Sequence, residues 1–275
     1  MNQHYIKIAH EAPLSIFDKV QNLTHYDYFL VHLFEENKEY LNKALQCVKQ
    51  GRETILDNSI FELGTAWDPT KFALWVEKMK PTWYIVPDVL DQAEPTMESF
   101  DKFMENHPDL PGKVIAVAQG ENYDDLVKCY KKFAEDDRVG KVAISFNHPF
   151  YQTEWEGKNK YERMGTGRKM TLYKMMNEGI INRRKPHHLL GCGLPQEFAF
   201  YRHWVWIDSL DTSNPVMAGI KGMEYYRQPQ YDIWGLDDKP AQKLYTIIND
   251  DVDEITFEKI KFNIEKFDYN INGWG

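Results

Sequence analysis

Two aspartates carry the most chemical information in this chain. Asp208 and Asp211 stand three residues apart in Trp206-Ile207-Asp208-Ser209-Leu210-Asp211-Thr212-Ser213-Asn214-Pro215, past an apolar run and before a proline. A strand that ends in acids and then turns is where an α/β barrel keeps its reactive groups. A carboxylate there can attack a sugar carbon as a nucleophile. The plainer reading makes Asp211, Thr212 or Ser213 a helix N-cap and Asp208 its solvated neighbour.

The pattern recurs along the chain. Asp57, Asp88, Gln119, Ser145, the glycines Gly191 and Gly193, and Asp211 all fall at the ends of predicted strands. In a barrel such positions converge on one mouth. A carboxylate accepts two hydrogen bonds from an amidine-type edge and an amide donates to a carbonyl, so Asp and Gln suit a purine-like base. Gly191 and Gly193 let backbone approach a flat ligand. Phe61, four residues after Asp57, is placed to stack on it. Singly, each of these residues is also explained as a cap, a turn former or a core phenylalanine.

The elements that must position these groups alternate in kind. Residues 29–34, 54–56, 83–86, 113–118, 141–146, 188–190 and 204–207 read as strands, the last ending in the acidic pair. Residues 37–50, a segment opened by Pro69, 96–106, 123–135, 170–177 and 195–201 read as helices. Such alternation predicts an α/β fold with a parallel sheet, and seven or so units favour closure into a (β/α)8 TIM-like barrel. The chain of 275 residues, 43% hydrophobic, suffices for one such domain over residues 1–275, since the fold needs roughly 250. A basic insertion is expected at about 150–186 and a C-terminal packing helix at about 256–267.

Composition narrows the function classes. No apolar run approaches the roughly 18 residues of a membrane span, and Met1 to Ile8 shows no signal pattern. The expected location is cytoplasmic. Cys47, Cys129 and Cys192 are few, odd in number and far apart, which predicts reduced buried thiols rather than a disulfide framework or zinc ribbon. His187 and His188 lack spaced partners for a metal. The net charge of −9 disfavours a general nucleic-acid coat but leaves room for a local basic face. That face is expected between Lys158 and Lys185, where nine positive residues meet two acids. Lys158, Lys160, Arg163, Arg168, Lys169, Arg183 and Arg184 are the candidate phosphate ligands. Tyr151, Trp155 and Tyr161 could stack on an extruded base. The same charges also read as an ordinary solvated helix face.

Four segments carry a family resemblance. Val117-Ala118-Gln119-Gly120-Glu121-Asn122-Tyr123-Asp124-Asp125-Leu126 resembles the "V-Q-G-G-x-Y-x-D-L" element of tRNA-guanine transglycosylases. His188-Leu189-Leu190-Gly191-Cys192-Gly193-Leu194-Pro195 resembles their "H-L-M-G-V-G-x-P" turn, and residues 207–215 resemble "V-D-M-F-D-C-V-L-P". Leu56-Asp57-Asn58-Ser59-Ile60-Phe61 is similar to "S-D-S-G-G-Y/F". The elements occur in family order over roughly residues 50 to 216. The resemblance implies that Asp211 is the nucleophile at the anomeric carbon and that Asp57 is a general acid/base. It implies that Phe61 stacks on the base, Gln119 reads it, and Leu190 and Gly191 contact its other face and edge. A further family aspartate matches Asp88 by strand length or Asp91 by local context, and Asp88 is preferred because strand ends reach the mouth.

The departures from the family also carry information. The three-cysteine-plus-histidine zinc motif is missing, so no zinc subdomain is expected, and Val216-Met217 replaces a basic pair. The pattern is similar to zinc-free relatives, common in bacteriophages, that insert 7-deazaguanines into DNA. The implied activity is exchange of guanine for a 7-deazaguanine, such as 7-cyano-7-deazaguanine, through a covalent aspartyl–sugar ester, without cofactor or metal. DNA is favoured over tRNA, with the free base as second substrate and room for a helper protein that opens the duplex. The rival readings are a tRNA enzyme that lacks its zinc lobe, a barrel glycoside hydrolase using Asp57 and Asp211, and a non-catalytic barrel that binds nucleic acid.

Overall fold

The computed structural model describes residues 4–228, 231–240 and 243–273. Eight short parallel strands, apolar over most of their length in all but the last, are buried on both faces, and each crossover between them carries helix. The strands are β1 (Lys7–His10), β2 (Asp27–Leu30), β3 (Thr54–Asp57), β4 (Trp83–Ile85), β5 (Lys113–Ala118), β6 (Val139–Ser145), β7 (His187–Leu190) and β8 (Ile207–Thr212). Their spatial order is β1-β8-β7-β6-β5-β4-β3-β2, all pairs parallel. The last strand thus returns to the first, and the architecture is a (β/α)8 TIM-like barrel. A small antiparallel hairpin, β9 (Tyr226–Gln228) and β10 (Ile233–Gly235), follows it.

The seam between β1 and β2 has no strand ladder. Thr24 and His25 join it instead, through one backbone bond and three side-chain bonds. The Ile8 carbonyl accepts from the His25 N–H (2.9 Å) and the Thr24 hydroxyl (2.8 Å). The Ile8 N–H donates to His25 Nδ1 (3.0 Å) and the His10 N–H to Thr24 Oγ1 (3.0 Å).

Helix starts follow capping chemistry. Asn37, Asp68, Asn122, Asn159 and Asp253 each accept backbone N–H bonds at the starts of helices Lys38–Lys49, Pro69–Met79, Tyr123–Glu135, Lys160–Asn177 and Glu254–Asn272. The final helix outruns the expected 256–267 at both ends.

Four expectations from the sequence change. The first strand, Lys7–His10, was not anticipated; it is only four residues long. The apolar run 29–34 splits, because β2 stops at Leu30 and Leu33–Glu36 turns into helix. Continuous apolarity alone does not separate the two. The expected basic insertion is the barrel's own crossover from β6 to β7: a short helix, Pro149–Thr153, then Lys160–Asn177. Gly165 and Gly167 lie inside that longer helix as close-packing positions; a Cβ on Gly167 would fall 2.4 Å from Tyr151 Cβ. The last strand is Ile207–Thr212 rather than 204–207, so both acids lie within it. Its polar residues line the barrel's interior and disguise it.

The register slips between His187 and His188, which pair with Ile207 and Ser209, leaving Asp208 as a bulge. No helix among the described residues is long and apolar enough to cross a membrane. Cys47, Cys129 and Cys192 are buried and unpaired.

The strand carrying Asp211 runs into helix Asn214–Ile220, which packs on the C-terminal helix through Gly219. A Cβ there would lie 2.8 Å from the Ile260 backbone nitrogen and 2.9 Å from its Cα. Gly219→Ala is expected to lower unfolding free energy by about 1–3 kcal/mol, read from urea denaturation. An unchanged midpoint would show that the two helices are not held this closely.

Candidate active site

One cavity opens at the C-terminal ends of the strands, enclosing about 750 Å³ of space that is partly open to solvent. The structure brings Asp57, Phe61, Asp88, Gln119, Ser145, Leu190, Gly191 and Asp211 to its walls. Asp88 lines the cavity and Asp91 does not. The cavity also takes Glu11, Tyr28, Glu62, Phe146 and Lys239, none of which the sequence reading named. Tyr28 had a legible signal, since period-two alternation puts it on the face of Leu30 at a strand end. Lys239 comes from a loop far along the chain and had none.

Asp57 ends β3 and is buried. Its Oδ2 accepts from the Tyr28 hydroxyl (2.7 Å) and its Oδ1 from the Ser59 N–H (2.5 Å). Burial and the neighbouring Glu62 push its carboxyl well above the usual range, against those two donors. Ser59 holds φ at 62°, the left-handed turn that carries its N–H back to Asp57.

Asp88 and Gln119 form a second wall. Asp88 Oδ1 accepts from the Asn58 amide (2.8 Å) and Oδ2 from the Gln119 amide (2.6 Å). The Asp91 N–H donates to Gln119 Oε1 (3.1 Å), so the orientation of the Gln119 amide is fixed at both ends. Burial raises the Asp88 carboxyl, with Gln119 and Asn58 opposing. Ser145 Oγ accepts from the Asn147 N–H (3.2 Å) and faces the same space.

Asp211 Oδ1 meets His188 Nε2 at 3.0 Å and accepts from the Gly191 N–H at 3.3 Å. Gly191 has φ of 65°, and a Cβ there would fall 2.6 Å from the Phe146 ring, so glycine is required twice over. Arg168 holds this turn from behind. Its Nη1 donates to the Leu190 carbonyl (3.0 Å), its Nη2 to the Gly191 carbonyl (3.1 Å), and its Nε to Glu197 (2.6 Å). Phe61 stands half-exposed at the rim, its ring 5.5 Å from that of Phe146.

The basic residues divide. Arg168 is fully buried and bonded as above, so it is a support of the site and not a phosphate ligand. Lys169 lies half-buried over the Phe200 ring (3.8 Å), on a flanking groove. Lys158 and Lys160 are exposed near the mouth, where Lys160 lines an outer groove with Lys239 and Lys243. Arg163 is half-buried, with a guanidinium nitrogen 3.4 Å from the Gly157 carbonyl. Arg183 and Arg184 precede β7 and so lie at the opposite end of the barrel. The 18-residue helix Lys160–Asn177 separates the two groups by a length of about 27 Å. The expected single basic face is therefore not one surface. Of the three candidate stacking rings, Tyr151 is fully buried, Trp155 is half-buried and Tyr161 lines the outer groove.

Fold and site together define an α/β barrel with a carboxylate-rich cavity at its C-terminal mouth. No protein-family model matches the chain, and no curated protein matches it.

Removing Arg168 leaves Glu197 buried without a counter-charge, with the Tyr201 hydroxyl as its remaining donor. Arg168→Met is expected to cost about 3–5 kcal/mol in urea denaturation, whereas exposed Lys158→Ala stays within about 0.5 kcal/mol. A loss under about 1 kcal/mol for Arg168→Met would contradict the buried pairing.

Glu62 gives a pH test. Burial holds its carboxyl at about 7 rather than 4.5, with Lys243 among the groups opposing. The folded chain therefore binds this proton more tightly than the unfolded chain. Its stabilising effect is complete below about 4.5 and is lost as pH rises through about 7. Glu62→Gln should be more stable than the native chain at pH 8 by about 1–2 kcal/mol, after solvent screening, and equal to it at pH 4. Equal stability of the two at both pH values would refute the shift.

Proposed function

We propose that this chain is a base-exchange glycosyltransferase of the guanine-transglycosylase type. It replaces guanine in DNA by a 7-deazaguanine, such as 7-cyano-7-deazaguanine, through a covalent aspartyl–sugar intermediate. The observation that carries the reading is the meeting of Asp57, Asp211 and the Asp88–Gln119 pair in one cavity with Phe61, Phe146 and Leu190. The four sequence elements that resemble tRNA-guanine transglycosylases supply the reaction class, and the absence of their cysteine motif favours DNA over tRNA.

The reaction balances on these residues alone. A nucleotide leaves its stack to reach the mouth. Asp211 attacks its anomeric carbon, and the C1′–O bond forms as the C1′–N9 bond breaks. Protonated Asp57, its carboxyl raised by burial, gives its proton to the departing guanine nitrogen. The incoming deazaguanine then attacks the same carbon. Its ring N–H proton passes to Asp57 and the aspartyl ester breaks. Asp88 accepts from the amidine edge of the base, the Gln119 amide donates to its carbonyl, and the rings of Phe61 and Phe146 with Leu190 cover its faces. Lys160, Lys239 and Lys243 meet phosphates along the outer groove, with Lys158 two residues before Lys160.

Mass spectrometry of nucleosides from the DNA and tRNA of cells expressing the chain tests the reading, together with exchange of labelled guanine by purified protein. Deazaguanine in DNA is expected. In vitro, Asp211→Asn should lose both exchange and the covalent polymer adduct on denaturing gels. Gln119→Ala should weaken base binding by about tenfold. Deazaguanine in tRNA alone would change the polymer. Release of free base with water as acceptor would make the chain a hydrolase. Exchange at the native rate in Asp211→Asn would overturn the assignment.

A further inference from the structure

The interior of the barrel holds a chain of polar side chains that the reaction above does not use. Lys141, on β6, is fully buried. Its Nζ lies 2.8 Å from Ser209 Oγ and 2.7 Å from Asp208 Oδ2, on β8, and 4.3 Å from the centre of the Trp83 ring, on β4. Neither strand adjoins β6, so the side chain crosses the inside of the barrel. Ser209 Oγ lies 2.9 Å from His188 Nδ1, and His188 Nε2 lies 3.0 Å from Asp211 Oδ1. The relay runs from Asp208 at the barrel floor to Asp211 at the mouth. The bulge at Asp208 makes it possible, because it puts Ser209 beside His188 with Asp211 one step above.

Donor and acceptor rules fix the direction of this relay. Lysine only donates, so Ser209 Oγ accepts from Lys141. At the other end the Asp211 carboxylate only accepts, so the proton of the neutral imidazole sits on Nε2 and is donated to Oδ1. Nδ1 is then bare and accepts the hydroxyl proton of Ser209. The other neighbours of His188 do not compete for either nitrogen. The Tyr28 ring stacks on it (6.3 Å, 8°), the Tyr26 ring meets it edge-on (6.5 Å), and their hydroxyls donate to Asp57 and to the Leu210 carbonyl. Burial lowers the pKa of His188, with Asp211 opposing, which accords with a neutral ring. The Gly191 N–H also donates to Asp211 Oδ1. Both bonds thus fall on one oxygen, and among the described residues no donor reaches Oδ2.

We propose that His188, held as its Nε2–H tautomer by Ser209 and Lys141, is the positioning residue for Asp211. With the Gly191 N–H it anchors Oδ1 and leaves Oδ2 as the attacking oxygen. This rests on the reading of Asp211 as nucleophile. As the ester forms through Oδ2, Oδ1 becomes its carbonyl oxygen and keeps both donors. When the incoming base breaks the ester, the returning electron pair is shared with Oδ1 under the same two hydrogen bonds.

Side-chain nitrogen NMR of the labelled full chain tests the tautomer without reference to any reaction. From pH 6 to 8, His188 should show a bare Nδ1 and a protonated Nε2, and Ser209→Ala should mix the two tautomers. In exchange assays Ser209→Ala should lower kcat by about tenfold or more while the KM for the base changes by less than about threefold. His188→Gln, which keeps an N–H donor, should retain more rate than His188→Leu, which should lose about 100-fold. A protonated Nδ1 in the native chain, or an undiminished kcat in His188→Leu, would overturn the proposal. If the tautomer and its response to Ser209→Ala are as expected but no polymer is modified, the anchoring of Asp211 stands and base exchange is refuted.

Discussion

The structure depends on a single electrostatic constraint: Glu11, Asp57, Glu62, Asp88 and Asp211 converge on one cavity in which, among the described residues, Lys239 is the one lining cation. Carboxyls in that setting are tolerable only when each is protonated or met by donors. Much of the architecture around the mouth answers this requirement. Tyr28 and the Ser59 N–H serve Asp57, Asn58 and Gln119 serve Asp88, and His188 and the Gly191 N–H serve Asp211. Burial also raises Glu11, with Asp211, Glu62 and Asp57 adding to the effect. Tyr28 ties the two halves together. Its hydroxyl reaches Asp57 while its ring lies flat against His188, the partner of Asp211.

Supplying those donors changes the barrel's interior. The usual filling of a barrel is layers of branched aliphatic side chains. Here Tyr28, His188, Ser209 and Lys141 occupy part of it, and Asp208, a third exposed at the floor, meets the buried ammonium of Lys141. Outside the barrel a second ion pair, Arg168 with Glu197, grips the 190–191 turn through its carbonyls. In both places a fully buried cation paired with a carboxylate holds backbone or side chain in one arrangement, the role such pairs perform best.

The sequence made the alternation and the strand ends legible, because turn-forming polar residues follow apolar runs that are long enough to read. Helix Tyr123–Glu135 and strand Lys113–Ala118 match their predicted bounds. The acids and amide at those ends, Asp57, Asp88, Gln119 and Asp211, do share a cavity. Three features were not legible, for definite reasons. β8 carries Asp, Ser, Asp and Thr, so hydropathy hides it. Arg168 looks like any other member of a basic window until the helix phase turns it inward. Lys141 and His188 reveal their roles only when non-adjacent strands face each other across the barrel. Such long-range pairings leave no periodic trace in the chain.

The joint between β1 and β2 has a mechanical consequence. Seven pairs of strands are hooped by backbone ladders, and the eighth is stitched by Thr24 and His25 alone. A hoop yields at its stitch. Because β1 lies directly against β8, that yielding point flanks the strand that bears Asp211. A load on the rim would therefore find the wall most compliant beside Asp211, while the opposite side, with Asp88 and Gln119, stays rigid.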